Sequence, residues 1–215
     1  MAEATHAHGH DDHGHGDHPP LAENNSMGVP NLKLAMWAFL GSECMFFGSL
    51  IGVYFFYKDK SLAGPHPADV FDINITTIST FLLLMSSLTM ALAVDGMKHG
   101  KVRKVKSFLL LTALLGACFV GFQVYEFQHF YLHGGLALQT NLFGSSFYIM
   151  TGFHGTHVTV GVIWLLMIAL LVHQGKIPAG HYLPVEIGGL YWHFVDIVWI
   201  IIFTFVYLLE FASKT

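Results

Sequence analysis

The sequence predicts an all-α membrane protein, a bundle of five transmembrane helices with the N-terminus inside and the C-terminus outside. Three observations predict it. Of the 215 residues, 53% are hydrophobic and only 11% are charged, where a soluble domain carries ~25% charged residues. Residues 73–94, 107–125 and 127–175 contain no Asp, Glu, Lys or Arg at all. The basic residues are also distributed unevenly about these stretches. This composition excludes a soluble enzyme and a disordered chain. A net charge of −4 on 10 basic and 14 acidic residues gives no polycationic face for nucleic acid. Two cysteines make neither a disulfide framework nor a Cys-rich metal site.

The first 30 residues stand apart. His6, His8, His10, His13, His15 and His18 alternate with Gly, Ala and Asp, without an apolar run. With no basic n-region and no h-region this is not a signal peptide; it reads as a disordered, solvated cytoplasmic tail, whose imidazoles offer at most loose metal capture. Residues 31–215 form the membrane domain. A span needs roughly 20 mostly apolar residues to cross ~30 Å of hydrocarbon, and five segments qualify, at about 32–57, 73–97, 107–132, 142–172 and 185–211. An exposed loop at 59–72, with Gly64-Pro65-His66-Pro67, separates the first two. The polar, Gly-rich piece from His133 to Asn141 divides 127–175, which is too long for one helix. All seven prolines lie outside the spans or in a first turn, where a missing N–H costs least. There is no internal repeat.

Orientation follows the basic residues. An inside N-terminus collects Lys33, Lys98, Lys101, Arg103, Lys104, Lys106 and Lys176 inside, against Lys58, Lys60 and Lys214 outside. In lipid, small residues that let backbones approach carry much of helix packing. Gly41, Gly48 and Gly52 fall near one face of the first span, Ser86, Ser87 and Ala91 in the second, Ala117 and Gly121 in the third, and Gly155 and Thr159 in the fourth. Together they predict a tight bundle or a flat surface that docks a partner.

The ionisable residues within the spans are the functional candidates: Glu43, Glu126, His154, His157, His193 and Asp196. A charge at the centre of a membrane helix costs ~2.5–3.5 kcal/mol on insertion scales, so each should be neutral, paired or buried in protein. Glu43 lies ~16 Å into its span at 1.5 Å per residue. Glu126 and His129, His154 and His157, and His193 and Asp196 are i,i+3 pairs, each predicted to share a helix face. Glu126-x-x-His129 has the spacing of di-iron carboxylate bundles, which makes a membrane di-iron enzyme one reading. Depth opposes it: Glu126 lies near the outer surface, Asp196 is only ~16 Å in from the inner one, and one Glu-x-x-His is present where that site uses two. A proton or ion transporter stringing Glu43, His157, Asp196 and Glu126 is a second reading, opposed by the lack of paired helix breaks near midplane. Interhelical hydrogen bonding, such as His193 or Asp196 to a neighbouring helix, is the structural alternative.

Four stretches of text resemble subunit III of the haem–copper terminal oxidases: Phe39-Leu40-Gly41-Ser42-Glu43-Cys44-Met45-Phe46-Phe47, Tyr125-Glu126-Phe127, Thr151-Gly152-Phe153-His154-Gly155-Thr156-His157-Val158, and Tyr191-Trp192-His193-Phe194-Val195-Asp196-Ile197-Val198-Trp199. Order and spacing fit that family from about residue 31 to the C-terminus. The resemblance implies a subunit with no catalytic residue, no metal and no cofactor of its own. It would sit directly against subunit I, which holds haem and copper and performs dioxygen reduction and proton pumping, with subunit II and smaller subunits nearby. It implies support of proton uptake, protection from turnover inactivation, and phospholipid held in a cleft between helix groups, in a bacterial inner membrane. Glu43 matches the family's buried, carbodiimide-reactive glutamate, and His154, His157, His193 and Asp196 match its interior motifs. Larger members have seven helices. This chain lacks the first two, so one wall of the lipid cleft is absent or comes from another subunit.

Overall fold

The computed structural model describes residues 28–58, 60, 73–132 and 142–209. The expected disordered tail up to residue 27, the 59–72 loop apart from Lys60, and the break at 133–141 lie outside the described residues. The backbone contacts divide the chain into residues 1–35 and 36–215. In the first unit the amides of Lys33 and Leu34 donate to the carbonyl of Pro30 at 2.9 and 3.2 Å. Pro30 needs no N–H partner there and opens the first helix.

Among the described residues, five helices are long and apolar enough to cross a membrane: α1 (Asn31–Tyr57), α2 (Ile73–Lys98), α3 (Val102–Leu132), α4 (Leu142–His173) and α5 (Leu183–Ile202). The last continues through Phe203–Leu208 in a wider π-type turn, closed by the Leu209 amide on the Thr204 carbonyl. Two boundaries differ from the hydropathy reading. Helix α3 starts at Val102 because its first turn, with Arg103 and Lys104, is helical without being apolar. Helix α5 starts at Leu183, with a proline in its first turn. The α2–α3 and α4–α5 turns share one device. Gly100 and Gly175 take φ of +70° and +72°, and the next amides, Lys101 and Lys176, reach back to Gly96 and Leu171 at 2.9 and 3.0 Å. This satisfies carbonyls the ended helices would leave bare.

Helices α2, α3, α4 and α5 pack in a closed ring, each against the next and α5 back against α2. The α2–α5 contact is antiparallel: Trp192 Nε1 donates to Ser86 Oγ and Trp199 Nε1 to Thr80 Oγ1, both at 2.9 Å. Between α2 and α3, Thr89 and Thr112 share a hydroxyl–hydroxyl bond of 2.7 Å. From residue 36 onward, α1 lies along α4 and α5 through large side chains. Phe46 meets Phe153 with ring centroids 5.2 Å apart, Tyr54 meets Phe143 at 6.1 Å and Phe55 meets Phe205 at 5.8 Å.

The indole of Trp192 fills the middle of the ring. A Cβ on Gly116 of α3 would collide with its ring, and one on Gly161 of α4 would lie 2.9 Å from Cζ3. The small residues that admit close packing are therefore partly other than expected. Ser86 and Gly155 do face inward, but Ala91, Ala117 and Thr159 are exposed. A Cβ on Gly41, Gly48, Gly52 or Gly121 would meet nothing within 4 Å. Spacing identifies a small face but not its direction, and here Gly116, one residue from Ala117, holds the inward position.

Gly116→Val should force the indole from its slot and lower the melting temperature of the detergent-solubilised protein, since overpacking costs ~1–3 kcal/mol. Gly121→Ala should leave it unchanged or slightly raised. Equal melting of the two variants would contradict this packing.

Candidate functional site

The ionisable residues within the spans occupy four separate places. In the first, Glu43 of α1 meets His157 of α4, Oε2 to Nε2 at 3.2 Å, with the side chains 17% and 19% exposed. Nδ1 of His157 lies 2.8 Å from the Phe153 carbonyl. That carbonyl can only accept, so Nδ1 carries a hydrogen. Nε2 is therefore the nitrogen turned towards Glu43, whose Oε2 is buried without a hydrogen-bond partner among the described residues. Phe47 borders the imidazole with centroids 5.1 Å apart, and the Tyr191 hydroxyl donates to the His157 carbonyl at 3.0 Å.

His154, one turn away, is fully buried. It stacks on Trp199 at 4.9 Å and 23°, and the edge of Phe119 lies 5.8 Å from it. Neither ring nitrogen has a hydrogen-bond partner among the described residues. The i,i+3 spacing thus sends His154 inward and His157 sideways to α1.

In the third place, Nδ1 of His193 is 2.7 Å from Ser87 Oγ on α2. The same serine lies close to Asp196, which is buried with its Oδ1 unpartnered among the described residues. Here the i,i+3 pair does share a face, and Ser87 sits between its members.

In the fourth, Glu126 of α3 is buried near one end of the ring and bridges two other helices. Thr76 of α2 donates to Oε1 at 2.7 Å, and Tyr207, in the π-type turn after α5, donates to Oε2 at 3.2 Å. His129 is exposed, with its ring 6.4 Å from Tyr125. Glu126-x-x-His129 therefore does not converge on one point. Three residues to the next helical neighbour is a turn of only ~300°, enough here to carry His129 out of the bundle. Among the described residues no three of His, Cys, Asp and Glu gather closely enough to hold a metal ion.

Sequence reading missed the neutral partners. Thr76, Ser87 and Tyr207 carry no signal in a linear pattern, since Ser, Thr and Tyr are common in such helices. Gln123 could have been found: it is the lone amide in the charge-free stretch 107–125. It is buried, its Nε2 donates to the Thr151 carbonyl at 2.6 Å, and Gly155 leaves room for its side chain.

Glu126→Ala removes the acceptor of the Thr76 and Tyr207 hydroxyls. Two lost hydrogen bonds at about 0.5–1.5 kcal/mol each predict a drop in the melting temperature of the solubilised protein. His129→Ala, on the surface of the bundle, should have a much smaller effect. A His129→Ala loss as large as that of Glu126→Ala would overturn this arrangement.

Comparison with known proteins is consistent with these features. A family profile described as Cytochrome c oxidase subunit III matches residues 16–211. The chain is 40% identical over 200 residues to "Quinol oxidase subunit 3" of Bacillus subtilis (strain 168), covering 93% of this chain and 97% of that one. It is 39% identical over 194 residues to "Cytochrome c oxidase subunit 3" of Bacillus sp. (strain PS3), covering 89% and 92%. It is also similar to "Probable quinol oxidase subunit 3" of Staphylococcus saprophyticus, 37% identical over 178 residues, covering 82% and 88%. With five membrane-crossing helices and relatives of this kind in bacteria, the chain is a multi-pass protein of the bacterial plasma membrane, and it belongs to the cytochrome c oxidase subunit III family.

Proposed function

We propose that the chain is the redox-inactive third subunit of a proton-pumping haem–copper terminal oxidase. In this reading it sits directly on subunit I, which holds haem and copper and reduces dioxygen to water, while subunit II and smaller subunits complete the complex. It steadies subunit I and supports its proton uptake, with phospholipid bound against the bundle and the N-terminus on the cytoplasmic side. The observation that carries the reading is how the intramembrane acids are used. Glu43 engages His157, Glu126 engages Thr76 and Tyr207, and Asp196 lies with His193 beside Ser87. Each links one helix to another, as a scaffolding subunit requires. The open face of α1 around Gly41, Gly48 and Gly52 supports docking on a larger membrane subunit, because it lets a partner helix approach closely. The basic residues of the two short turns, Lys98, Lys101, Arg103 and Lys176 among them, support the orientation.

The test is a reduced-minus-oxidised optical spectrum of material captured in mild detergent through a tag on this chain. Haem bands in stoichiometric amount are expected, and adding reduced cytochrome c or a quinol then identifies the electron donor. Material free of haem would refute the proposal.

Glu43→Gln removes the carboxylate that faces His157 while keeping the side chain's volume. Assembly should be retained, while activity declines faster during turnover or fewer protons are pumped per electron. Wild-type decay together with wild-type stoichiometry would show that the Glu43–His157 pair has no part in proton handling.

A further inference from the structure

Where α3 begins and α4 ends, an apolar slot opens between the two helices beneath a pair of basic side chains. It encloses about 250 Å3 and is lined by Leu110, Leu166, Ala169 and Leu170, with Lys106 and His173 at its mouth. Nζ of Lys106 lies 3.5 Å from Nδ1 of His173, a long contact. The ammonium can only donate, so Nδ1 accepts and the ring hydrogen is on Nε2. Two ammonium hydrogens and one imidazole N–H are left for an acceptor. Among the described residues neither side chain meets a carboxylate, so two nitrogen donors stand together with no anion beside them.

We propose that this slot binds one anionic phospholipid, its phosphate held by Lys106 and His173 and an acyl chain lying along Leu110, Leu166, Ala169 and Leu170. Charge and depth together identify the occupant. Lys106 immediately precedes the charge-free stretch 107–125, and His173 is the last residue of α4. Both stand at the level where basic side chains reach lipid headgroups. Leu110 lies one turn below Lys106; Ala169 and Leu170 lie one turn below His173 and Leu166 two. The apolar wall therefore runs ~10 Å into the hydrocarbon. Leu110, Leu166 and Leu170 are 53%, 45% and 54% exposed. A basic mouth over an apolar slot between helices favours an anionic headgroup with its chain; free phosphate would gain the donors but nothing from the slot. Lys101, Arg103, Lys104 and Lys176 at the same end raise the local concentration of anionic lipid. The site belongs to two neighbouring helices of the ring and is separate from the cleft between helix groups that the family resemblance implies. It requires only that the helices cross a bilayer, so it stands apart from the oxidase assignment.

The test is native mass spectrometry of the intact membrane complex that carries this chain, equilibrated in mild detergent with phosphatidylglycerol or with phosphatidylethanolamine. Wild type should retain one more phosphatidylglycerol than the Lys106→Gln/His173→Gln double variant, with at least about fivefold weaker binding in the variant, the effect of removing one basic group at a membrane surface. Leu110→Trp, which fills the slot and keeps both basic groups, should lose the same lipid. Both substitutions lie on the bundle's surface, and the unchanged mass of the protein assembly checks that it remains intact. Equal phosphatidylglycerol retention by wild type and both variants would overturn the proposal. So would equal retention of phosphatidylethanolamine, or displacement of the lipid by millimolar inorganic phosphate, which would mark a simple anion site.

Discussion

Between helices surrounded by hydrocarbon there is little to gain from hiding apolar surface, so shape and hydrogen bonds must hold the bundle together. Trp192 meets both demands at the centre of the ring. Its indole lies where Gly116 and Gly161 leave no side chain in the way, and its N–H reaches Ser86. One residue of α5 thereby fixes the approach of α2, α3 and α4. Trp199 repeats the device two turns along with Thr80, and the two bonds set the antiparallel register between α2 and α5.

The ionisable groups follow from the same demand. A buried carboxylate without partners is costly in any low-dielectric interior, and the bundle answers with hydroxyls from neighbouring helices. Glu126 draws Thr76 and Tyr207 together from two of them. The π-type turn that carries Tyr207 is part of that arrangement, since the wider turn changes which residues of Phe203–Leu208 face α3. The pair of Glu43 and His157 differs in kind. It brings two ionisable groups together, Oε2 to Nε2 at 3.2 Å, with both side chains partly exposed.

From residue 36 onward, α1 is joined to the ring by aromatic side chains and by the contact of Glu43 with His157. Its glycines face open space. A membrane subunit that works alone gains nothing from a bare backbone face, whereas one helix of a larger assembly gains a close contact there. Membership of the subunit III family and this geometry are mutually consistent.

The sequence alone determined the number of helices, their approximate limits and the set of intramembrane acids and imidazoles, because hydropathy and the cost of burying charge act locally along the chain. The family motifs were legible for the same reason. Direction was not legible. Three residues of spacing placed His193 and Asp196 about one serine, parted His154 from His157, and left Glu126 inside the ring with His129 outside it. Glycine spacing likewise pointed to Ala117 and Gly121, where the close approach belongs to Gly116. Helical periodicity fixes angles between side chains on one helix. The rotation of that helix against its neighbours is set by contacts such as Trp192 with Ser86, and those exist only once the helices are assembled.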